Sequence, residues 1–323
     1  MIQASIMWSF LAIASTLFAV ALSNSLPKGA LGFYCLIADD TVTNYTSTDN
    51  WQPELYDYQI QGSNALWLTF INPEKMPAVP PAMANLAKCK GQSGCPPSST
   101  PVIFSIGGES YSNKAWSWLE SQSAAESMAE EVAQWDTKYG ADGIDLDIEG
   151  TAGNSQTAAN NLVAFAQKLR SLNPKLLITQ PVYGYPQITA ENTMVNEGFT
   201  KTGGYNNLID SVGLMVYSGL NSLNYVKDYG NATSEWDGFP ITVNVPYSRI
   251  IPGIQGSASS SVIGQMANDI VQQQLGGFMV WFASVMDKTR GGKNAFSYGS
   301  DDATKSMSSN GAAWAAAMKT MGG

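Results

Sequence analysis

The sequence predicts an α/β fold, a closed (β/α)8 TIM barrel, on three observations. Short apolar runs alternate with stretches of helical periodicity along the chain, which is the pattern of βα units around a parallel sheet. Eight such runs fit into 323 residues, a length suited to one large barrel. No glycine-rich phosphate loop follows the first run, and an open doubly wound sheet, the competing architecture, commonly carries one.

The predicted strands are residues 31–37, 64–70, 102–106, 143–148, 176–182, 211–217 and 277–282. The seventh in order falls within 241–254, where 241–245 and 249–254 compete and the second is favoured. Residues 124–139 carry apolar side chains at helical spacing, with Gly140 where a left-handed C-cap belongs. Residues 157–172 form another helix, stopped by Asn173-Pro174. Residues 261–275 end at Gly276-Gly277, and 312–321 make a final alanine-rich helix. There is no internal repeat, low-complexity tail or appended binding module.

Composition narrows the function. A hydrophobic content of 44% supplies a substantial core, and the 13% charged content is low. A net charge of −9 argues against nucleic acid as a partner and suits a neutral or cationic one. The absence of histidine removes Ser-His-Asp and Cys-His catalysis and every histidine-containing metal site. Residues 6–22 are mostly apolar, and Ala21-Leu22-Ser23 offers small residues for cleavage. Residues 1–23 are therefore expected to be a signal peptide, leaving 24–323 as one secreted barrel domain with no membrane contact. A retained signal anchor is the competing reading, because no Lys or Arg precedes the run; the run is short for spanning. Cys89 and Cys95 flank a Gly/Ser/Pro-rich stretch and are the candidate disulfide, while Cys35 reads as a buried free thiol. Asn44 and Asn231 head N-x-T triplets and are candidate glycosylation sites.

The chemistry is concentrated in Asp142-Gly143-Ile144-Asp145-Leu146-Asp147-Ile148-Glu149. Strand side chains alternate between faces, so Asp145, Asp147 and Glu149 share one face and the aliphatics share the other. Crowded acids repel, and at least one should keep its proton to unusually high pH. Folding gains little from this; acid–base chemistry gains a proton donor. Barrel active sites lie at the C-terminal strand ends, which singles out Glu149. Asp147, one step deeper, is expected to raise the pKa of Glu149 and to hydrogen-bond to it. Asp142 has the wrong parity and reads as structural, capping the strand start. An inert acid stack and a divalent-metal site are the alternatives. Three acids of one strand, each a layer apart, make a poor octahedron, so no metal or cofactor is expected.

This motif resembles the signature of the family-18 glycoside hydrolases, the chitinase family. Ser105-Ile106-Gly107-Gly108 is similar to that family's SxGG segment, Met215-Val216-Tyr217 to its M-x-Y motif, and 276–281, ending in Trp281, to its last strand. The resemblance implies substrate-assisted hydrolysis, in which the substrate's own acetamide replaces an enzyme nucleophile. It implies that Glu149 is the proton donor and that Asp147 holds the acetamide N–H. Asp145 would share a proton with Asp147, Tyr217 would bond the acetamide oxygen, and Trp281 would floor the distorted sugar. Met215, Gln180, Tyr183, Gly107 and Gly108 are expected near the substrate, with Ser105 as part of the structural motif. Tyr185 is a further cleft candidate. Phe33, Tyr34 and Trp67 are expected in the core.

Two departures from the family pattern stand out. Ser218 occupies a position where Asp or Asn often stands, leaving Asn221 or Asn224 to take over any contact there. The short 255–276 segment leaves no room for the α+β insertion of many members, so the groove should be open and cleavage endo-type. The expected substrate is chitin or a chitooligosaccharide, bound by a monomer. The alternatives are an endo-β-N-acetylglucosaminidase acting on the N-glycan core and a non-catalytic lectin-like relative. Such relatives commonly lose the terminal glutamate of the motif, which is intact here.

Overall fold

The computed structural model describes residues 26–36, 63–92, 95–199, 208–232, 234–236, 238–284 and 311–322. The expected signal segment and Asn44 lie outside the described residues. Eight parallel strands close into a barrel: β1 (Ala30–Leu36), β2 (Ala65–Ile71), β3 (Val102–Gly107), β4 (Gly143–Asp147), β5 (Leu177–Val182), β6 (Ser211–Leu214), β7 (Ile250–Gln255) and β8 (Gly277–Ser284). Each strand pairs with its neighbours in the chain, and β8 closes on β1. The seventh strand is the favoured 249–254 segment. Residues 241–245 do not join the barrel; they follow a two-residue antiparallel hairpin, Glu235–Trp236 against Phe239–Pro240.

Helices cover the barrel: α1 (Pro81–Lys88), α2 (Gln122–Val132), α3 (Trp135–Tyr139), α4 (Gln156–Leu172), α5 (Thr189–Gly198), α6 (Val226–Gly230), α7 (Ser260–Gln273) and α8 (Gly311–Met321). Serine side chains cap three of them, with Ser121, Ser155 and Ser259 accepting from the N–H three residues on. The β7–β8 crossover carries α7 alone, with no α+β insertion.

Two expected helices differ. The 124–139 helix breaks into α2 and α3: the Gln134 N–H turns to the Glu131 carbonyl, three residues back, and the Ala133 carbonyl accepts from Asn173 Nδ2 instead. The tightened turn brings Trp135 against Phe104, ring centroids 5.9 Å apart. Gly140 does take the left-handed cap, with φ 77°. Helix α7 stops not at the glycine pair but at Gln274, itself left-handed with φ 57°. Gly277 is needed for the strand start, where an added Cβ would lie 2.0 Å from the Ala30 carbonyl oxygen.

Strand parity divides the core in two. Leu66, Leu68, Phe104, Ile106, Ile144 and Leu146 face the helices. Tyr34, Ala65, Trp67, Ile103, Leu177, Ile251 and Met279 fill the barrel. Trp67 stacks on Tyr34 at 5.3 Å and lies where a Cβ at Gly32 would be 1.7 Å from its ring. Its Nε1 donates to Thr179 Oγ1 at 3.0 Å. Cys89 and Cys95 are disulfide-bonded; Cys35 is buried and free, its thiol pushed up to about 12 by burial. Asn231 is exposed just after α6. Among the described residues no helix is long and apolar enough to cross a membrane.

Candidate active site

Strand β4 carries its aliphatics outward and its acids inward, as parity requires. Asp145 is fully buried at mid-barrel, in register with Ser105 on β3 and Thr179 on β5. Both neighbours donate to it, Ser105 Oγ to Oδ2 at 2.7 Å and Thr179 Oγ1 to Oδ1 at 2.5 Å; Tyr34 Oη adds a bond to Oδ2 at 3.2 Å. Burial pushes this carboxyl up to about 7, and the three hydrogen bonds pull against it.

Asp147 lies one layer higher and remains buried. Its pKa is raised well above the usual range, first by burial and then by repulsion from Glu149, Asp145 and Glu191. Its Oδ1 has no hydrogen-bond partner among the described residues. Glu149 follows in extended backbone just past the end of the ladder, 9% exposed. Burial raises its pKa, a hydrogen bond from Tyr183 Oη to Oε2 at 2.8 Å opposes the rise, and Glu109 on the exposed turn after β3 adds to it. The expected pairing of Asp147 with Glu149 is thus modified. Asp147 and Glu149 repel each other and both carboxyls are raised, but the hydrogen bond to Glu149 comes from Tyr183.

Above the acids the rim is aromatic. Tyr217 and Trp281 lie nearly parallel, 5.9 Å between centroids, and Phe70 and Tyr34 each stand 5.9 Å from Trp281. Tyr217 crosses over Gly253, where a Cβ would be 3.0 Å from its ring. Its phenol is held protonated by burial and by the field of Asp147, Glu149 and Asp145. Met215 is half-buried against the barrel interior with Tyr217 and Trp281. Ser218 is exposed at the mouth, as are Asn221 and Asn224. Tyr185 pairs with Tyr225 at 6.4 Å.

Gly107 and Gly108 both have positive φ, 103° and 84°. A Cβ on Gly107 would lie 2.1 Å from the Asp147 carbonyl oxygen, and one on Gly108 would enter the Phe70 ring. The Gly108 N–H donates to that same carbonyl at 2.8 Å, so the glycine pair fixes the backbone under the acids. Gly107→Ala should cost at least ~1–3 kcal/mol from backbone strain alone, with the clash added. A drop in the urea midpoint checks this.

Gln180 is not brought to the site. Thr179 is the inward residue of β5, so Gln180 points to the helix layer, fully buried, its Nε2 donating to the Leu146 carbonyl at 2.6 Å. Asp142 stands at the strand start, pairing with Lys90 and accepting from the Val102 N–H at 2.7 Å. Sequence reasoning left out Thr179, Glu191 and the contact from Tyr34. Thr179 was within reach of parity, being level with Asp145; Glu191 carries no local signal. Among the described residues no group of His, Cys, Asp or Glu is arranged to hold a metal ion.

The family model for glycosyl hydrolases family 18 matches residues 37–249, well over half of the chain. The chain belongs to this family. The matched span holds the acid, SxGG and M-x-Y motifs, and Trp281 lies beyond it. Solved family-18 structures share the fold. A chitinase from Cycas revoluta, in complex with allosamidin, superposes with TM-score 0.59 at 13% identity, covering 91% of this chain and 100% of that one. A Rhizomucor miehei chitinase gives 0.55 at 14%, covering 86% and 99%. A chitinase-like agglutinin from Robinia pseudoacacia gives 0.55 at 13%, covering 88% and 99%. Among curated protein sequences none matches the chain.

Proposed function

We propose that this family-18 protein is a secreted glycoside hydrolase that cleaves β-1,4-linked N-acetylglucosamine polymers, chitin, by the retaining, substrate-assisted route. The observation that carries this reading is Asp147 Oδ1, a buried acceptor beneath Glu149 without a partner among the described residues. A buried polar atom left unpaired is costly, and an acetamide N–H would satisfy this one.

The steps follow from the site. Glu149, kept protonated by burial, gives its proton to the glycosidic oxygen. The substrate's acetamide oxygen attacks C1 as the leaving group departs, forming an oxazolinium ion. Asp145 and Asp147 share a proton; with it on Asp145, the ionised Asp147 holds the acetamide N–H and balances its growing positive charge, and the Tyr217 hydroxyl donates to the acetamide oxygen. Trp281 supports the apolar face of the sugar. Glu149, now ionised, takes a proton from water as it attacks C1 from the leaving-group side, and configuration is retained.

A reducing-end-labelled chitin hexamer and a high-mannose glycoprotein, incubated side by side with the protein, test the reading. Internal cuts in the hexamer are expected, because the α7-only crossover supports an open groove. Cleavage of the glycoprotein alone would favour the N-glycan core as substrate. The agglutinin among the structural relatives motivates a second reading, sugar binding without turnover. Hexamer binding with no product from either substrate would support it. Products released only from chain ends would overturn endo-action.

A further inference from the structure

Glu191, on the first turn of α5, is 1% exposed and lies behind the acid cluster rather than in it. Its Oε2 faces the Tyr183 N–H at 3.4 Å, and its Oε1 has no partner among the described residues. Tyr183 is held at both ends of its backbone. Its carbonyl accepts from Tyr229 Oη of α6 at 2.7 Å, and its own hydroxyl donates to Glu149. Three elements thus converge on one residue whose side chain touches the proton donor.

The titratable groups facing Glu191 are Glu149 and Asp147 from the β4 end, Tyr183 after β5 and Tyr229 of α6. All are acids, so none stabilises a negative charge on Glu191. The start of α5 favours an anion by ~0.3–2 kcal/mol. Burying an unpaired carboxylate costs several times that, so the neutral form prevails. Its pKa accordingly stands well above the usual range, with burial the leading cause.

We propose that Glu191 is a positioning residue for Glu149, fixing the Tyr183 backbone so that the phenol meets the proton donor, and that it acts as a neutral carboxylic acid. The proposal rests on the reading of Glu149 as the donor. Glu191→Gln preserves the size, the neutrality and the acceptor for the Tyr183 N–H; Glu191→Leu removes the acceptor. With chitooligosaccharide as substrate, Gln should keep kcat within about threefold. Leu should lose about 10–100-fold in kcat, the scale of a small misplacement, with KM little changed.

A measurement on the resting protein separates this inference from the functional one. Carbon-13 NMR of the glutamate side-chain carboxyls, assigned with Glu149→Gln and Glu191→Gln, follows each titration without substrate. Glu191 should stay protonated through pH 7. The Glu149 midpoint should be unchanged in the Gln variant and higher in the Leu variant, which loses the opposing phenol bond. Titration of Glu191 in the ordinary glutamate range, in wild-type protein, would overturn the proposal even if the Leu variant fails to fold. So would a folded Leu variant with an unmoved Glu149 midpoint. If the NMR agrees but no substrate is cleaved, Glu191 keeps its positioning role and the hydrolase reading falls.

Discussion

Replacing Glu149 with glutamine should lower kcat on chitooligosaccharides by about 10²–10⁴-fold, the usual contribution of a positioned general acid, while leaving substrate affinity within a few-fold. Glutamine keeps the volume and offers its own oxygen to Tyr183 Oη, which now donates to Oε2 at 2.8 Å. What it lacks is a transferable proton. The loss should therefore fall on kcat, since the proton is needed only as the glycosidic bond breaks. Wild-type activity should depend on pH in a matching way. Glu149 must be protonated to act, and burial raises its pKa, so the alkaline limb of kcat/KM should lie above the ordinary glutamate range. A variant that turns over near the wild-type rate would remove Glu149 from the mechanism. An alkaline limb at the ordinary glutamate value would remove the raised pKa.

The acid strand was legible because its information is local. Alternation over eight residues assigns faces without knowledge of any partner strand, and the face assigned to Asp145 and Asp147 is the one they occupy. The eight barrel strands were legible for the same reason, each being a short apolar run bounded by breakers. Helix α1, eight residues opening on a proline, is not among the predicted helices, although proline suits the first helical position. Gln180 was misplaced through a failure to extend parity across the ladder. Once Asp145 faces inward, the residue level with it on β5 is Thr179, and its neighbour must face out. Glu191 and Tyr229 were beyond reach for a different reason. They come from separate helices, and only the closed barrel brings both to Tyr183. No spacing in the chain encodes that meeting.

The protein should be most stable in mild acid and should weaken as pH rises through neutrality, the reverse of ordinary acid denaturation. The sign follows from linkage. Asp145, Asp147, Glu149 and Glu191 all have folded-state pKa values above those of the unfolded chain. Below about pH 4, where both states are protonated, their contribution to stability is fully present. Above that the unfolded chain ionises first, and stability declines until each folded-state pKa is passed. For Asp145, raised from 3.8 to about 7, the decline is on the order of 4 kcal/mol. The net charge of −9 at pH 7 adds repulsion in the same direction. Urea midpoints at pH 4.5, 6 and 7.5 should fall in that order, and Asp147→Asn should flatten the slope and raise the midpoint at pH 7.5. A surface control, Glu130→Gln, which breaks only the exposed pair with Lys168, should leave the slope unchanged and so separate buried acids from general charge. A midpoint that climbs with pH would mean that the stack is ionised in the folded protein. The barrel would then hold a carboxylate cluster in place of a reserve of protons, and Glu149 would have no proton to give.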